Sequence, residues 1–166
     1  MRLLMASLML ISLSLSVPAA EEKTKKQEAK PSTPNFSGEW VLNREKSDYG
    51  RIPLPTKLVR RIDHQEPKIK LVTISTGPQG DLTTEYNYTT DGVEGTTLVR
   101  GTKVRHAAKW DGQTLEIEIN RSLPDGKSLK TVERWNLSED GKMMMSVSKM
   151  NTVNGEMTIT AVFDKQ

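Results

Sequence analysis

From Tyr86 to Phe163 apolar and polar residues alternate along this chain, and a glycine-containing turn interrupts them about every ten residues. Alternation of period two sends successive side chains to opposite faces of a strand. Helical spacing nearly vanishes past Phe36, and only residues 43–50 offer a short helical turn. The pattern predicts about ten strands, near 38–43, 57–64, 67–76, 81–90, 94–100, 102–110, 113–122, 128–138, 142–150 and 156–165.

Turn chemistry predicts which residues oppose each other. Asp111-Gly112 suits a two-residue type I′ hairpin. It sets Trp110 opposite Gln113, Ala108 opposite Leu115, His106 opposite Ile117 and Val104 opposite Ile119. One face then holds Val104, His106, Ala108, Trp110, Leu115, Ile117 and Ile119. The other holds Lys103, Arg105, Lys109, Glu116, Glu118 and Asn120. A slip of one residue would destroy that separation.

Pro124-Asp125-Gly126 as a three-residue loop pairs Leu115 with Trp135 and Ile119 with Thr131. Glu139-Asp140-Gly141 as another pairs Leu137 with Met143 and Trp135 with Met145. Val153-Asn154-Gly155 as a third pairs Val147 with Ala161 and Met145 with Phe163. Gly101-Thr102 as a type II′ turn pairs Val99 with Val104, and Asp91-Gly92 pairs Tyr86 with Thr97. One apolar face then runs through seven strands. Too few helices exist to cover it, so a single antiparallel up-and-down meander closed into a barrel is the predicted architecture. An open sandwich is the alternative.

The start of the chain reads as an export signal. Arg2 precedes an apolar run to Val17, and Val17-Pro18-Ala19 supplies small residues for cleavage. The expected signal peptide is 1–19, with an uncleaved anchor as the alternative, and no membrane span is expected after cleavage. Residues 20–35 hold four Lys and three Glu among Pro, Ser and Thr, and read as a disordered spacer. The barrel domain is 36–166, and its expected location is the periplasm or the extracellular space. The chain has no cysteine, so neither disulfides nor thiol chemistry are open to it.

Formal charge is +3. Arg2 and the spacer each carry one unit of it, so the domain is close to +1, which gives no clustered basic face for nucleic acid. The chain has two histidines, His64 and His106, and no metal-ligand spacing, phosphate loop or nucleophile elbow. No catalytic residue, metal or cofactor is therefore assigned. An enzyme using His106 and Glu133 remains an alternative class.

The segment Phe36-Ser37-Gly38-Glu39-Trp40-Val41-Leu42 resembles the opening Phe-x-Gly-x-Trp strand of the calycin group. Within it, the closer likeness is to the ten-stranded fatty-acid-binding-protein type. Lys109-Trp110-Asp111-Gly112 falls where such barrels have a similar hairpin, and Ala161-Val162-Phe163-Asp164-Lys165 resembles their last strand. Gly38-x-Trp40 also fits the eight-stranded lipocalins. The look is one shared by exported bacterial proteins. The resemblance implies a lumen for a small lipophilic ligand, with two departures. Residues 44–56 are too short for the family's two-helix lid, and Gly50, Pro53 and Pro55 oppose helices. The family's Arg-x-Tyr carboxylate clamp falls on Ala161 and Phe163, so the usual fatty-acid contact is missing.

The expected lumen is mixed in polarity: Tyr86, Tyr88, Thr97, His106, Arg121, Thr131, Glu133 and Lys149 point inward on this register. The candidate ligand-binding residues are Tyr86, Tyr88, His106, Trp110, Glu133, Trp135 and Lys149, a few polar groups on an apolar wall. His106 and Glu133 flank Ile117 roughly 10 Å apart, and Glu133 lies diagonal to Lys149. In Met143-Met144-Met145, Met144 is expected to point away from the core and the other two into it; a Cu(I) site is the alternative reading of the thioethers. Two functions stand side by side, a binding module for a small amphipathic ligand and a filled barrel acting on envelope proteins through its surface.

Overall fold

The computed structural model describes residues 33–77, 80–123, 126–152 and 155–166. The expected signal peptide, spacer residues 20–32, Pro124-Asp125 and Val153-Asn154 lie outside them. Ten strands form: β1 Gly38–Leu42, β2 Lys57–Gln65, β3 Lys68–Gly77, β4 Gly80–Thr89, β5 Gly95–Val99, β6 Thr102–Asp111, β7 Thr114–Ser122, β8 Ser128–Leu137, β9 Met143–Thr152 and β10 Gly155–Lys165. All pair antiparallel, in the order β4-β3-β2-β1-β10-β9-β8-β7-β6-β5. Residues 44–46 form a turn, and no described residue is helical.

The meander is a barrel closed except between β4 and β5. These are the two ends of the sheet order, so Tyr86 and Thr97 are not ladder partners, against expectation. At one end the loop after β4 skips β5 and docks on β6. There Gly92 N–H donates to the Ala108 carbonyl at 2.8 Å, and Asp91 bridges Lys109.

The β6–β7 register differs from the expected one by two residues. Trp110 opposes Leu115, Ala108 opposes Ile117 and His106 opposes Ile119. The two-residue loop is Gly112-Gln113, and Gly112, at φ 61°, opens it as a type II′ turn does. At β5–β6 the loop is Arg100-Gly101, with φ of 50° and 76°, a type I′ turn in place of the expected II′. A shift of two leaves every side chain on its own face, so the predicted inner face of β6 and β7 stands. The β7–β8 pairs Leu115–Trp135 and Ile119–Thr131 form as expected.

Strand β9 is inverted relative to expectation. The β8–β9 connection has four residues, closed by Ser138 N–H to the Met143 carbonyl at 2.9 Å and by Asp140 accepting from Lys142 N–H at 3.0 Å. Leu137 therefore opposes Met144, and Trp135 opposes Ser146. Met144 is buried at 0 % exposure, while Met143 and Met145 are exposed at 37 % and 42 %. The β9–β10 connection is one residue shorter than expected, with Thr152 opposite Gly155. The two differences cancel, and Ala161 and Phe163 still point inward.

The two ends of the barrel differ. At one, Phe36, Trp40, Leu115, Ile117, Trp135, Met144 and Phe163 fill the interior. Phe36 meets Trp135 edge-on at 5.5 Å and stacks on Trp110 at 6.0 Å, while Trp40 Nε1 donates to the Phe36 carbonyl at 2.8 Å. This explains the opening motif: Phe36 plugs the barrel and Trp40 holds it there. The glycine between them sits at φ 138°, where an L side chain is strained, and Lys165 packs across it with its ammonium 5.1 Å from the Trp40 ring. Toward the other end the inward residues are smaller and more polar (Thr73, Ser75, Thr84, Thr97, Thr131 and Ser148), and they are only partly buried.

Candidate functional site

A buried ion pair divides the packed half from the open half. Arg60, on the inward side of β2, donates from Nη2 to Glu133 Oε1 on β8 at 2.8 Å. The same carboxylate oxygen accepts from Trp135 Nε1 at 2.6 Å and from the Ser146 hydroxyl on β9. The guanidinium also lies 4.7 Å from the Phe163 ring centroid and 5.2 Å from that of Trp135. A charge this deep needs a counter-charge, and Arg60 and Glu133 supply each other's. Burial pushes the Glu133 carboxyl up; Arg60, Ser146 and Trp135 outweigh that and hold it below its ordinary value.

One wall beside the pair is aromatic. Tyr86 and Tyr88 stack at 5.6 Å, and both present edges to His106, at 5.4 and 4.9 Å. Burial raises both phenols, Tyr88 well above the usual tyrosine range, so both are neutral donors. Burial lowers the His106 imidazole, with Glu94 opposing in part. His106 Nε2 meets Thr97 Oγ1 at 3.3 Å, and its Nδ1 is buried without a partner.

Above the pair lies a cavity of about 590 Å³ at the mouth. The β1–β2 connection contributes Tyr49, Ile52, Pro53 and Pro55, and strand residues Leu58, Leu82 and Val99 continue the apolar lining. Arg100 and Arg121 are its charged residues, with no carboxylate among the lining groups. The connection that is too short for a helical lid thus forms one side of the entrance.

The structure brings Tyr86, Tyr88, His106, Glu133 and Trp135 together, as the sequence predicts. Trp110 instead closes the packed end, where its Nε1 donates to Glu66 at 2.8 Å. Phe36 N–H donates to His64 Nδ1 at 3.2 Å, so the ring proton is on Nε2 and goes to Glu66 at 2.9 Å. Lys149 is a correction. Inversion of β9 places it exposed on the outer face, beside Glu156 and Lys130, and Glu133 takes Arg60 as its partner. Glu133 and His106 do not pair; each has its own partners. Sequence reasoning missed Arg60 and Ser146. The signal for Arg60 was its place between Leu58 and Ile62 in the alternation of β2, masked by the adjacent Arg61, which is exposed and pairs with Glu39.

The comparisons with known proteins rest on structure. No family model matches the chain, and no curated protein matches its sequence. Solved structures do match, among them three of the same architecture. Zebrafish ileal bile acid-binding protein, complexed with cholic acid, aligns at TM-score 0.52 and 16 % identity, over 79 % of this chain and 98 % of that one. Secretory abundant heat soluble protein 4 from Ramazzottius varieornatus aligns at 0.56 and 19 %, over 83 % and 96 %. Human cRBP IV aligns at 0.53 and 13 %, over 80 % and 99 %. The fold is a ten-stranded antiparallel up-and-down barrel, the architecture of these neighbours. At these identities the likeness is one of architecture, and ten strands set it apart from the eight of lipocalins. In this barrel the last strand carries Ala161 and Phe163 inward, as expected, and an interior arginine comes from β2 instead.

Two buried titrating groups shape the acid response of the barrel. The Glu133 carboxyl is depressed in the fold, so its contribution is complete above the unfolded carboxylate value, about 4.3, and is lost as pH falls through the folded value. The His106 imidazole is also depressed, and its contribution is complete above about pH 6.5 and fades below it. Urea midpoints should therefore begin to fall near pH 6 and drop more steeply below about pH 4.5. A midpoint that stays constant from pH 8 to pH 5 would contradict the His106 assignment, and one that falls no further below about pH 4.5 would contradict that of Glu133.

Proposed function

We propose that this chain is an exported, non-enzymatic binding module that holds a small amphipathic molecule in the mouth half of its barrel. The mouth cavity carries the reading. Its volume of about 590 Å³ falls within the ~300–1,000 Å³ of ordinary ligand sites, and an apolar wall with a few convergent polar groups is their usual make-up. The zebrafish neighbour of the same fold is a bile acid-binding protein holding cholic acid, which supports a lumenal site. Export rests on the apolar run after Arg2 and the small residues at Val17-Pro18-Ala19.

Titration with Nile red, a neutral lipophilic dye, tests the site. Saturable one-to-one binding in about the micromolar range is expected, and Leu82→Trp, which fills the mouth, should abolish it. Absence of saturable binding, together with a native mass equal to that of the bare chain purified from its own host, would contradict the proposal. Recovery of a stoichiometric protein partner from envelope extract under those conditions would favour a barrel that acts through its surface.

A further inference from the structure

At the packed end of the barrel, segment 35–37 meets β2 before the β1–β2 ladder begins at Gly38 and Ile62. Its ties to β2 run to His64. The Ser37 hydroxyl accepts from His64 N–H at 2.9 Å and donates to the His64 carbonyl at 3.2 Å. Asn35 Nδ2 donates to the same carbonyl at 3.3 Å. Phe36 N–H has its acceptor in the imidazole itself, at Nδ1. The Phe36 ring is fully buried, with its centroid 6.1 Å from that of His64, 6.0 Å from Trp110 and 5.5 Å from Trp135. One residue of β2 thus holds the plug in place.

The two ring nitrogens of His64 have opposite duties. Nδ1 accepts, which it can do only without a proton, and Nε2 donates to Glu66. An imidazolium donates from both nitrogens. Its Nδ1–H would then face the Phe36 N–H, and neither would have an acceptor. A buried donor without a partner carries its full desolvation cost. Glu66 acts in the other direction. Its Oε1 lies 2.9 Å from Nε2 and also accepts from Trp110 Nε1, while Oε2 accepts from the Thr90 hydroxyl. Burial pushes this carboxyl up; hydrogen bonds from Thr90, His64 and Trp110 outweigh that and hold it below its ordinary value. It therefore stays an anion in mild acid and suits an imidazolium. No other charge meets the ring: Asn35, Phe36 and Ser37 carry none, nor do Trp110 on β6 and Ile69, the partner of His64 on β3.

We propose that His64 is a proton-operated catch on the packed end of the barrel: a proton on Nδ1 forms an ion pair with Glu66, releases segment 33–37 and withdraws Phe36 from the interior. The released form binds one more proton than the closed form, so acid favours it. A short segment outside the ladders can open in this way without the sheet unfolding. Phe36 leaves the space among His64, Trp110 and Trp135, and the barrel gains an opening at the end away from the mouth cavity. The catch does not depend on the mouth holding a ligand.

Backbone amide hydrogen exchange, read by NMR as protection factors, tests the catch on the whole protein. Phe36 protection at pH 7.5 should exceed that at pH 5.5 by about tenfold, as one proton taken up on opening requires. Leu115, inside the β7 ladders, should stay at least about tenfold better protected than Phe36 at both values. His64→Gln offers an amide that does not titrate, and should hold the Phe36 ratio within about twofold. Glu66→Gln removes the counter-ion of the imidazolium and should cut the ratio by about half or more. A ratio near one in the unmodified protein would overturn the inference. So would an undiminished ratio in a folded His64→Gln, or equal protection at Phe36 and Leu115, which would mean that the plug leaves only when the barrel unfolds. If His64→Gln does not fold, an unchanged ratio in Glu66→Gln overturns it.

Discussion

Glu133→Ala is expected to destabilise the fold by about 3–5 kcal/mol, the loss seen when one partner of a buried ion pair is removed. Three donors converge on Glu133 Oε1, and all three lose their acceptor together: Arg60 Nη2, Trp135 Nε1 and the Ser146 hydroxyl. The guanidinium is the costly one. It lies 5.2 Å from the Trp135 ring centroid and 4.7 Å from that of Phe163, with its side chain only 12 % exposed. Removing both charges is a different experiment. Arg60→Met with Glu133→Leu should recover most of the loss, because apolar replacement of a buried pair is often neutral or better. Recovery will be incomplete by about 1 kcal/mol for each of Trp135 Nε1 and Ser146, which stay without an acceptor. Urea unfolding followed by tryptophan fluorescence measures both. A loss under about 1 kcal/mol for Glu133→Ala would mean that the pair is solvated and the floor of the lumen is open.

Met144→Lys is expected to prevent stable folding, and Met145→Lys to leave stability within about 0.5 kcal/mol. The two positions are adjacent, with the same residue type and the same substitution. They differ in face: Met144 opposes Phe163 and Leu137 in the packed end, and Met145 opposes Val162 and Asn136 outside. A lysine at Met144 would be a buried cation without a counter-ion, the costliest class of substitution. Circular dichroism and a thermal melt of each variant suffice. The reverse outcome would restore the register in which Met143 and Met145 are core residues.

That pair of variants also marks where the sequence stops being legible. Strand number, strand limits and the inner faces of β6, β7, β8 and β10 follow from period-two alternation, because an error of two residues leaves each face intact. β9 did not follow. Judged by hydrophobicity, Met143, Met145 and Val147 make a better inner face than Met144, Ser146 and Ser148. The structure takes the poorer one, and Ser146 shows why: Glu133 is buried beside it, and Ser146 supplies a hydroxyl donor. A polar requirement on one strand thus fixes the register of its neighbour. The four-residue Asp140 turn made this possible, and a glycine in a turn does not by itself state the turn's length.

The aromatic part of the site was legible for a related reason. Tyr86, Tyr88 and His106 fall on inner-face positions of strands whose alternation is clear. Arg60 was not, because an arginine in an Arg60-Arg61 pair looks like a solvated face. Its partner Glu133 was correctly placed inside, but a carboxylate predicted in a lumen does not name its cation when that cation comes from 73 residues away.

Backbone amide shifts during titration with the methyl ester of 11-(dansylamino)undecanoic acid test the central claim directly. Perturbations should cluster at Tyr49, Leu58, Ser75, Leu82, Val99 and Thr102 and spare Phe36, Trp40 and Leu115 at the packed end. Shifts confined to the outer-face groove of Lys130, Val147 and Lys149, or none at saturating probe, would contradict a ligand site in the barrel mouth.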